Sequence, residues 1–365
     1  MRRSRLKDLE TVFILGAGAS YALSLPATGE PSKKTTPLDN SFNERLLSLP
    51  SSKQRPWIED SKSLIETNWI GELSDYKAMG LEESIIKRLG NYDLLKSIHP
   101  SRLAGNRYTT KCENAEYVNH LSHLISELLI RCRQNTKKYA HKFARHVYGN
   151  PGGVNKRKHN RIITFNYDTL IDDILIDEAN LPARKLYFDR IKASQEETDI
   201  RRKSDIFPSP YMVKLHGSIN WRIDSKTYEK IINGEVLSEV KPPIWLDRKN
   251  IPHPSDDVSP LIMPPLPYKP ITTTPIFSHL WQCAFEYLHE AKRIVIAGYS
   301  CPQTDSFAMS MLSQLTNNNL EEIVIIDPDS TSLNKYRTIM NKRMRKKVIW
   351  TYYGDFVDYV ERHSS

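Results

Sequence analysis

The chain has 365 residues and only four cysteines, Cys112, Cys132, Cys283 and Cys301. No two of them stand in CxxC spacing, which argues against a structural zinc site and a disulfide framework. Cys301 lies in a turn close to Gly298 and reads as a small space-filler. No stretch approaches the roughly 18 or more apolar residues of a membrane span. The basic start, MRRSRLKDLE, is followed by an apolar run too short for a secretory leader. These absences predict a cytoplasmic protein. Internal repeats and low-complexity tracts are also missing. What is present is ordinary for a soluble globular chain: 39% hydrophobic and 26% charged residues.

The length allows two domains, or one large α/β domain with insertions. The formal net charge is +9, which draws polyanions to a surface. The densest clusters, Lys156–Arg161 and Asn341–Lys347, lack the interleaved aromatics of a base-stacking surface. They read as solvated surface or assembly contacts, so direct nucleic-acid binding is not favoured, and no membrane partner is expected.

The stretch Thr11–Ser20 (TVFILGAGAS) reads as a buried strand, Val12–Leu15, running into a glycine turn and a helix start. Such a turn offers backbone N–H groups and a positive helix end to a phosphate-sized anion. Pro26 limits the helix, and Thr28–Asp39 is a polar, proline-containing loop that either covers a ligand or moves freely. Apolar spacing of three and four predicts helices over Leu81–Leu95 and Glu116–Cys132, continuing in Lys137–Tyr148. His120 and His123 fall near the apolar stripe of the second and read as ordinary helix-surface histidines rather than metal ligands. Further buried strands are predicted at Arg161–Phe165, Met212–Leu215, Arg293–Ala297, Glu322–Ile326 and Lys347–Tyr352. Helices are predicted at Thr169–Ala179, Phe277–Glu290, Gln303–Gln314 and Thr331–Met340. Asp224–Pro264 reads as a loop-rich insertion with weak strands. This alternation predicts an α/β fold, a Rossmann-like doubly wound parallel sheet with a helical and a loop-rich insertion. The domain reading is 1–39 together with 151–365 for the nucleotide-binding sheet, and 40–150 for the mainly helical insertion.

Residues with useful chemistry fall where strands end: Gly16, Gly18 and Ser20; Asn166 and Asp168; His216; Gly298 and Ser300; Asp327. Ligands of an open parallel sheet bind outside the carboxyl ends of its strands. The usual dinucleotide fingerprint needs a third glycine at position 21, which is Tyr21, and an acidic residue about 20 residues on, which is missing. Each element has a plainer reading: a tight glycine turn, a helix cap at Asn166 or Asp168, a structural His–Gly turn, an Asp–Pro turn at 327–328.

The segments GAGAS, TFNYD, LHG and GYS, with a late strand ending in Asp, together resemble the sirtuin-like superfamily. They look closest to the bacterial Sir2-like NAD-consuming proteins of antiphage defence. The resemblance implies that Gly16, Ala17, Gly18 and Ser20 bind the NAD+ diphosphate and that Gly298 and Ser300 contact ribose and phosphate. Asp327 would accept from the adenosine ribose. Asn166, Asp168 and His216 would be catalytic, with no metal. The zinc module of sirtuin deacetylases and their acyl-lysine segment are not recognisable here, which favours NAD+ hydrolysis to ADP-ribose and nicotinamide. The family further implies depletion of NAD+ on phage infection (abortive infection), a homo-oligomer, and a separately encoded activator such as a HerA-type ATPase or a short Argonaute-type protein. The alternatives are an NAD-dependent protein deacylase or ADP-ribosyltransferase, and a non-catalytic scaffold sensing NAD+ or ADP-ribose. Met263-Pro264-Pro265 with Lys269 resembles a loop of the defence proteins whose role is open.

Overall fold

A computed structural model describes residues 10–26, 30–53, 55–67, 107–132, 138–148, 160–177, 183–187, 210–235, 256–264, 273–302 and 305–363, with short pieces between them. The strands are β1 (Thr11–Leu15), β2 (Arg161–Thr164), β3 (Ile191–Lys192), β4 (Met212–Lys214), β5 (Gly217–Asp224), β6 (Ile244–Leu246), β7 (Val258–Ile262), β8 (Arg293–Ala297), β9 (Glu322–Ile326) and β10 (Ile349–Tyr353). The helices are α1 (Ala17–Leu23), α2 (Asp39–Leu47), α3 (Trp57–Thr67), α4 (Arg107–Cys132), α5 (Lys138–Tyr148), α6 (Leu170–Asp177), α7 (Ala183–Leu186) and α8 (Ser225–Ile232). They continue with α9 (Pro275–Glu290), α10 (Ser306–Ser313), α11 (Thr331–Ile339), α12 (Lys342–Lys347) and α13 (Phe356–His363).

Six strands form one sheet in the order β10-β9-β8-β1-β2-β4, and every pairing in it is parallel. Its central strands are continuous apolar runs because helices cover both faces; Val12, Ile14, Ile163, Val295 and Ile325 are all buried. The chain builds β1, β2 and β4 outward in one direction, then returns to add β8, β9 and β10 in the other. The direction reverses between β1 and β8, which is the switch point where such sheets open a crevice. This is the α/β architecture expected from the alternation of strands and helices.

Because β1 and β2 are parallel neighbours, the whole segment between them, including α1 to α5, is one long crossover. Helix α5 lies against the core rather than apart from it: Phe143 meets Phe13 edge-on at 5.3 Å and Phe356 of α13 at 5.4 Å.

The segment read as a loop-rich insertion with weak strands, Asp224–Pro264, holds the short strands β6 and β7 and also a helix that was not expected, α8, whose first turn is capped by Asp224, which accepts from the Thr227 N–H at 2.9 Å. Strand β5 runs eight residues just before it. Strands β3-β6-β5-β7 form a second, mixed sheet. Its proline signal misleads because Pro260 sits inside β7, at a register irregularity opposite β5, where a missing N–H is tolerated. Helix α4 packs on this sheet, with the Ser122 hydroxyl 2.6 Å from that of Tyr228, which also bonds the Ile262 carbonyl at 2.8 Å.

That packing corrects the reading of His123 as a surface residue. It is fully buried, with Nδ1 2.8 Å from the Asn119 carbonyl and its ring edge-on to Trp57. His120 Nδ1 lies 2.7 Å from the Ser61 hydroxyl. The basic run Asn341–Lys347 keeps Lys342, Arg343, Lys346 and Lys347 exposed; Asn341 accepts from the Met344 N–H at 3.0 Å and starts α12, which delays the last strand to Ile349. Cys132, Cys283 and Cys301 are buried free thiols. The predicted helix Leu81–Leu95 beyond Ser84, the cluster Lys156–His159 and the loop Pro265–Lys269 lie outside the described residues. Among the described residues, no helix is long and apolar enough to cross a membrane.

Candidate active site

Five strand ends of the main sheet meet at one cleft of about 630 Å³, within the usual size for a small-molecule site. Gly16, Ala17, Gly18, Ser20, Asn166, Asp168, His216, Gly298, Ser300 and Asp327 all line it. The arrangement follows from parallel register: Leu15 pairs with Thr164 and Ala297, so the residues just after these strands emerge at one level.

The glycines are needed first for backbone packing. The Gly16 N–H donates to the Ala297 carbonyl at 3.1 Å, and the Gly18 N–H to the Gly298 carbonyl at 2.9 Å. A Cβ on Gly16 would stand 2.5 Å from the Gly298 carbonyl oxygen. The two strand-end turns therefore interlock, and two amides expected to face an anion are committed to that contact. Gly298 itself has φ +54°, a left-handed conformation that glycine adopts at little cost.

Asn166, Ser20 and Asp168 form one hydrogen-bonded group. Asn166 Nδ2 donates to the Gly16 carbonyl at 2.7 Å and to Ser20 Oγ at 2.8 Å, and Ser20 Oγ donates to Asp168 Oδ2 at 2.6 Å. The Thr164 hydroxyl accepts the Asn166 N–H at 3.1 Å. These bonds fix the amide and leave Asn166 Oδ1 as an acceptor for a ligand. Asp168 Oδ1 accepts from the Leu170 N–H at 3.0 Å, so Asp168 caps α6 and lines the cleft at once. Ser20, expected on a phosphate or ribose, is the bridge between the other two.

Behind this loop is a buried ion pair with no signal in the sequence reading. Lys214, inside the apolar strand β4, lies 3.1 Å from Asp172 and donates to the Asp168 carbonyl at 2.5 Å. Tyr187 donates to the same Asp172 carboxylate, and Asn220 donates to the Tyr187 hydroxyl at 3.1 Å. A lysine within a strand buried on both faces requires such a partner, and that rule was the available clue.

His216 follows β4 and is nearly buried. Its carbonyl accepts from the Met263 N–H at 2.8 Å, and Tyr167 donates its hydroxyl to the Met263 carbonyl at 2.7 Å. The imidazole is walled by Phe165 at 5.3 Å, Tyr167 at 6.3 Å and Trp281 at 6.5 Å between ring centroids. Phe165 stacks on Tyr299 at 3.9 Å with planes 4° apart. The Cys301 thiol, pushed up to about 11 by burial and then by Asp305, is a poor nucleophile at neutral pH, in keeping with the space-filling reading.

Residues outside the sequence motifs complete the walls. Thr36, Pro37, Leu38, Asp39 and Asn40 line one side, so the end of the polar loop does border the cleft. Arg45 of α2 holds that loop through the Thr35 carbonyl at 2.5 Å and the Lys33 carbonyl at 2.6 Å. Asp355 and Phe356 line the far end beside Asp327. Among the described residues, no group of three or more His, Cys, Asp or Glu is placed to hold a metal ion.

No protein-family profile and no curated protein matches the chain. Solved structures do. A mutant Sir2 homologue in complex with ADP-ribose is 14% identical over 100% of this chain and 96% of its own, with a TM-score of 0.41. A mutant of Sir2 homologues in complex with 2′-O-acetyl ADP-ribose gives 13%, 100%, 96% and 0.40. A structure described as the basis of sirtuin substrate affinity gives 12%, 100%, 98% and 0.34. Likeness at this level bears on neither activity nor site residues.

Proposed function

We propose that this chain is an NAD+ glycohydrolase, cleaving NAD+ with water to ADP-ribose, nicotinamide and a proton. One observation carries the reading: each of the GAGAS, TFNYD, LHG and GYS segments, whose order resembles Sir2-like NAD-consuming proteins, contributes residues to a single cleft that Asp327 also lines. Their chemistry suits the reaction. The glycosidic bond breaks through an oxocarbenium-like transition state, as in glycoside hydrolysis. Asn166 presents Oδ1, suited to the nicotinamide carboxamide or to a water. Asp168, held by Ser20 and the α6 N-terminus, places negative charge near the developing cation. His216 takes the proton of the attacking water or of a ribose hydroxyl as the C–N bond opens. Its wall of Phe165, Tyr167 and Trp281 excludes bulk water, and the nicotinamide leaves as a neutral base, so no acid is required. The test is nicotinamide release from NAD+, alone and with candidate activators. Tight NAD+ binding without release in every assembly state would favour the sensing scaffold instead, and transfer to protein would favour the ADP-ribosyltransferase.

The far end of the cleft carries Asp327 and Asp355. Asp327 Oδ1 accepts from the Asp329 N–H at 2.8 Å, which leaves Oδ2 for a ribose hydroxyl. A 2′-phosphate there meets like charge, so NAD+ is expected to be cleaved in preference to NADP+ by roughly 100-fold in kcat/KM. Asp327→Asn should narrow that ratio by about tenfold, read from parallel assays on the two dinucleotides. Equal cleavage of both by the unaltered chain would remove the adenosine ribose from this end.

In a cell, the proposed role is the NAD+-depleting effector of an antiphage system, acting in the cytoplasm. Self-assembly or a separate activator, such as a HerA-type ATPase or a short Argonaute-type protein, would release the activity. The 40–150 segment is the proposed gating or assembly element, since its Asn40, Phe42, Leu81 and Leu129 border the cleft. Cell survival and NAD+ content during phage challenge, with and without His216→Ala, test this role.

A further inference from the structure

Asp305 immediately precedes α10, where a carboxylate ordinarily caps the helix. It makes no capping hydrogen bond. Its side chain turns inward instead and is 2% exposed. Oδ2 accepts from the Tyr299 hydroxyl at 2.7 Å and lies 3.7 Å from His216 Nε2. Tyr299 is itself fixed, stacked on Phe165 and receiving the Tyr336 hydroxyl at its carbonyl. Burial, then the Asp305 charge, push the Tyr299 phenol well above its ordinary range, so it stays the donor. A helix cap was given up here for contacts made beneath the cleft.

Among the described residues, aromatic rings also surround His216. Phe165 and Tyr167 face it from the β2–α6 connection, and Trp281 from α9; the Tyr167 hydroxyl is committed to Met263. Tyr299 approaches from the turn after β8 and Asp305 from the start of α10. Among the described residues, Asp305 is the carboxylate within ion-pair distance of the imidazole. At 3.7 Å the contact is one of charge rather than a hydrogen bond. In a site walled by aromatic rings, that charge acts through a low dielectric.

We infer that Asp305 is the positioning residue of His216: it holds the ring with Nε2 toward the carboxylate and balances the positive charge the ring gains on taking a proton. The inference rests on the NAD+-cleaving reading for its catalytic consequence, but not for the pairing itself. The same division of labour, a buried carboxylate orienting a histidine base without accepting its proton, serves hydrolases of unrelated folds.

Asp305→Asn is nearly isosteric and can still accept from Tyr299. In the full-length chain with isotope-labelled histidine, the His216 resonance, assigned by its loss in His216→Ala, should titrate about 0.5 to 1 pH unit lower in Asp305→Asn. Asp305→Ala, which also removes the hydrogen bond, should show the same fall. For NAD+ cleavage, Asp305→Asn should lower kcat about 10- to 100-fold with KM within about twofold. Because the neutral ring is the base, the acid limb of the pH–rate profile should move to lower pH. Added to His216→Ala, the substitution should cost nothing further. An unchanged His216 titration, or a full additional loss on top of His216→Ala, overturns the inference. Absence of turnover in every assembly state, with and without activators, overturns the proposed reaction alone, because the titration is read without substrate.

Discussion

If the chain cleaves NAD+ as proposed, replacing His216 with alanine should lower nicotinamide release by about 1,000-fold at neutral pH and leave the thermal midpoint within a few degrees. The activity estimate comes from the usual contribution of a positioned general base, roughly 100- to 10,000-fold. A value well above the low end is expected because the ring is nearly buried among Phe165, Tyr167 and Trp281, where bulk water is a poor substitute. The stability expectation follows from its contacts. The backbone of His216 holds Met263 through its carbonyl, and that bond survives truncation. A KM close to that of the unaltered chain would separate loss of the base from loss of binding. Retention of full turnover would leave the cleft as a binding site and move the catalytic assignment elsewhere.

Gly298→Ala is expected to destabilise the chain by about 2 to 5 kcal/mol, through two costs. Alanine at φ +54° is strained by about 1–2 kcal/mol. Its Cβ would also stand 2.3 Å from the Ala19 nitrogen and 2.6 Å from the Gly18 Cα. These are backbone atoms, so relief requires separating the two strand-end turns, an overpacking cost of about 1–3 kcal/mol. A chemical denaturation midpoint reads the loss. The site should fail with it, because the Gly16 carbonyl that holds Asn166 Nδ2 at 2.7 Å moves with that turn. A variant as stable as the unaltered chain would show that the turns can part without strain.

Much of the fold was legible because a strand buried on both faces is written as an apolar run. Arg293–Ala297 and Glu322–Ile326 were read with their observed bounds. The interval 217–264 was not, because its partners are remote. Strand β5 pairs with β7 across more than thirty residues, and α4 covers both. His123 looked like a surface residue because its burial depends on α3, which supplies Trp57. The expected site residues were read from strand ends, where their types stand out. Asp305 did not stand out, because the predicted helix Gln303–Gln314 placed it in the first turn, where a carboxylate is ordinary. Lys214 was passed over as part of an apolar strand, although its charge demanded a buried partner.

By itself the sequence determined that glycines, an Asn–x–Asp pair and a histidine each follow an apolar strand. In a parallel sheet those positions share one edge, since strand direction and period leave no other arrangement. Only the tertiary structure decided what each group touches. The glycine amides go to β8, Ser20 goes between Asn166 and Asp168, and Asp305 goes to Tyr299 and His216. Those contacts join residues as far apart as Gly16 and Ala297. Local pattern carries burial and direction along the chain, but the pairing of polar side chains depends on which remote backbones are brought into contact by the core.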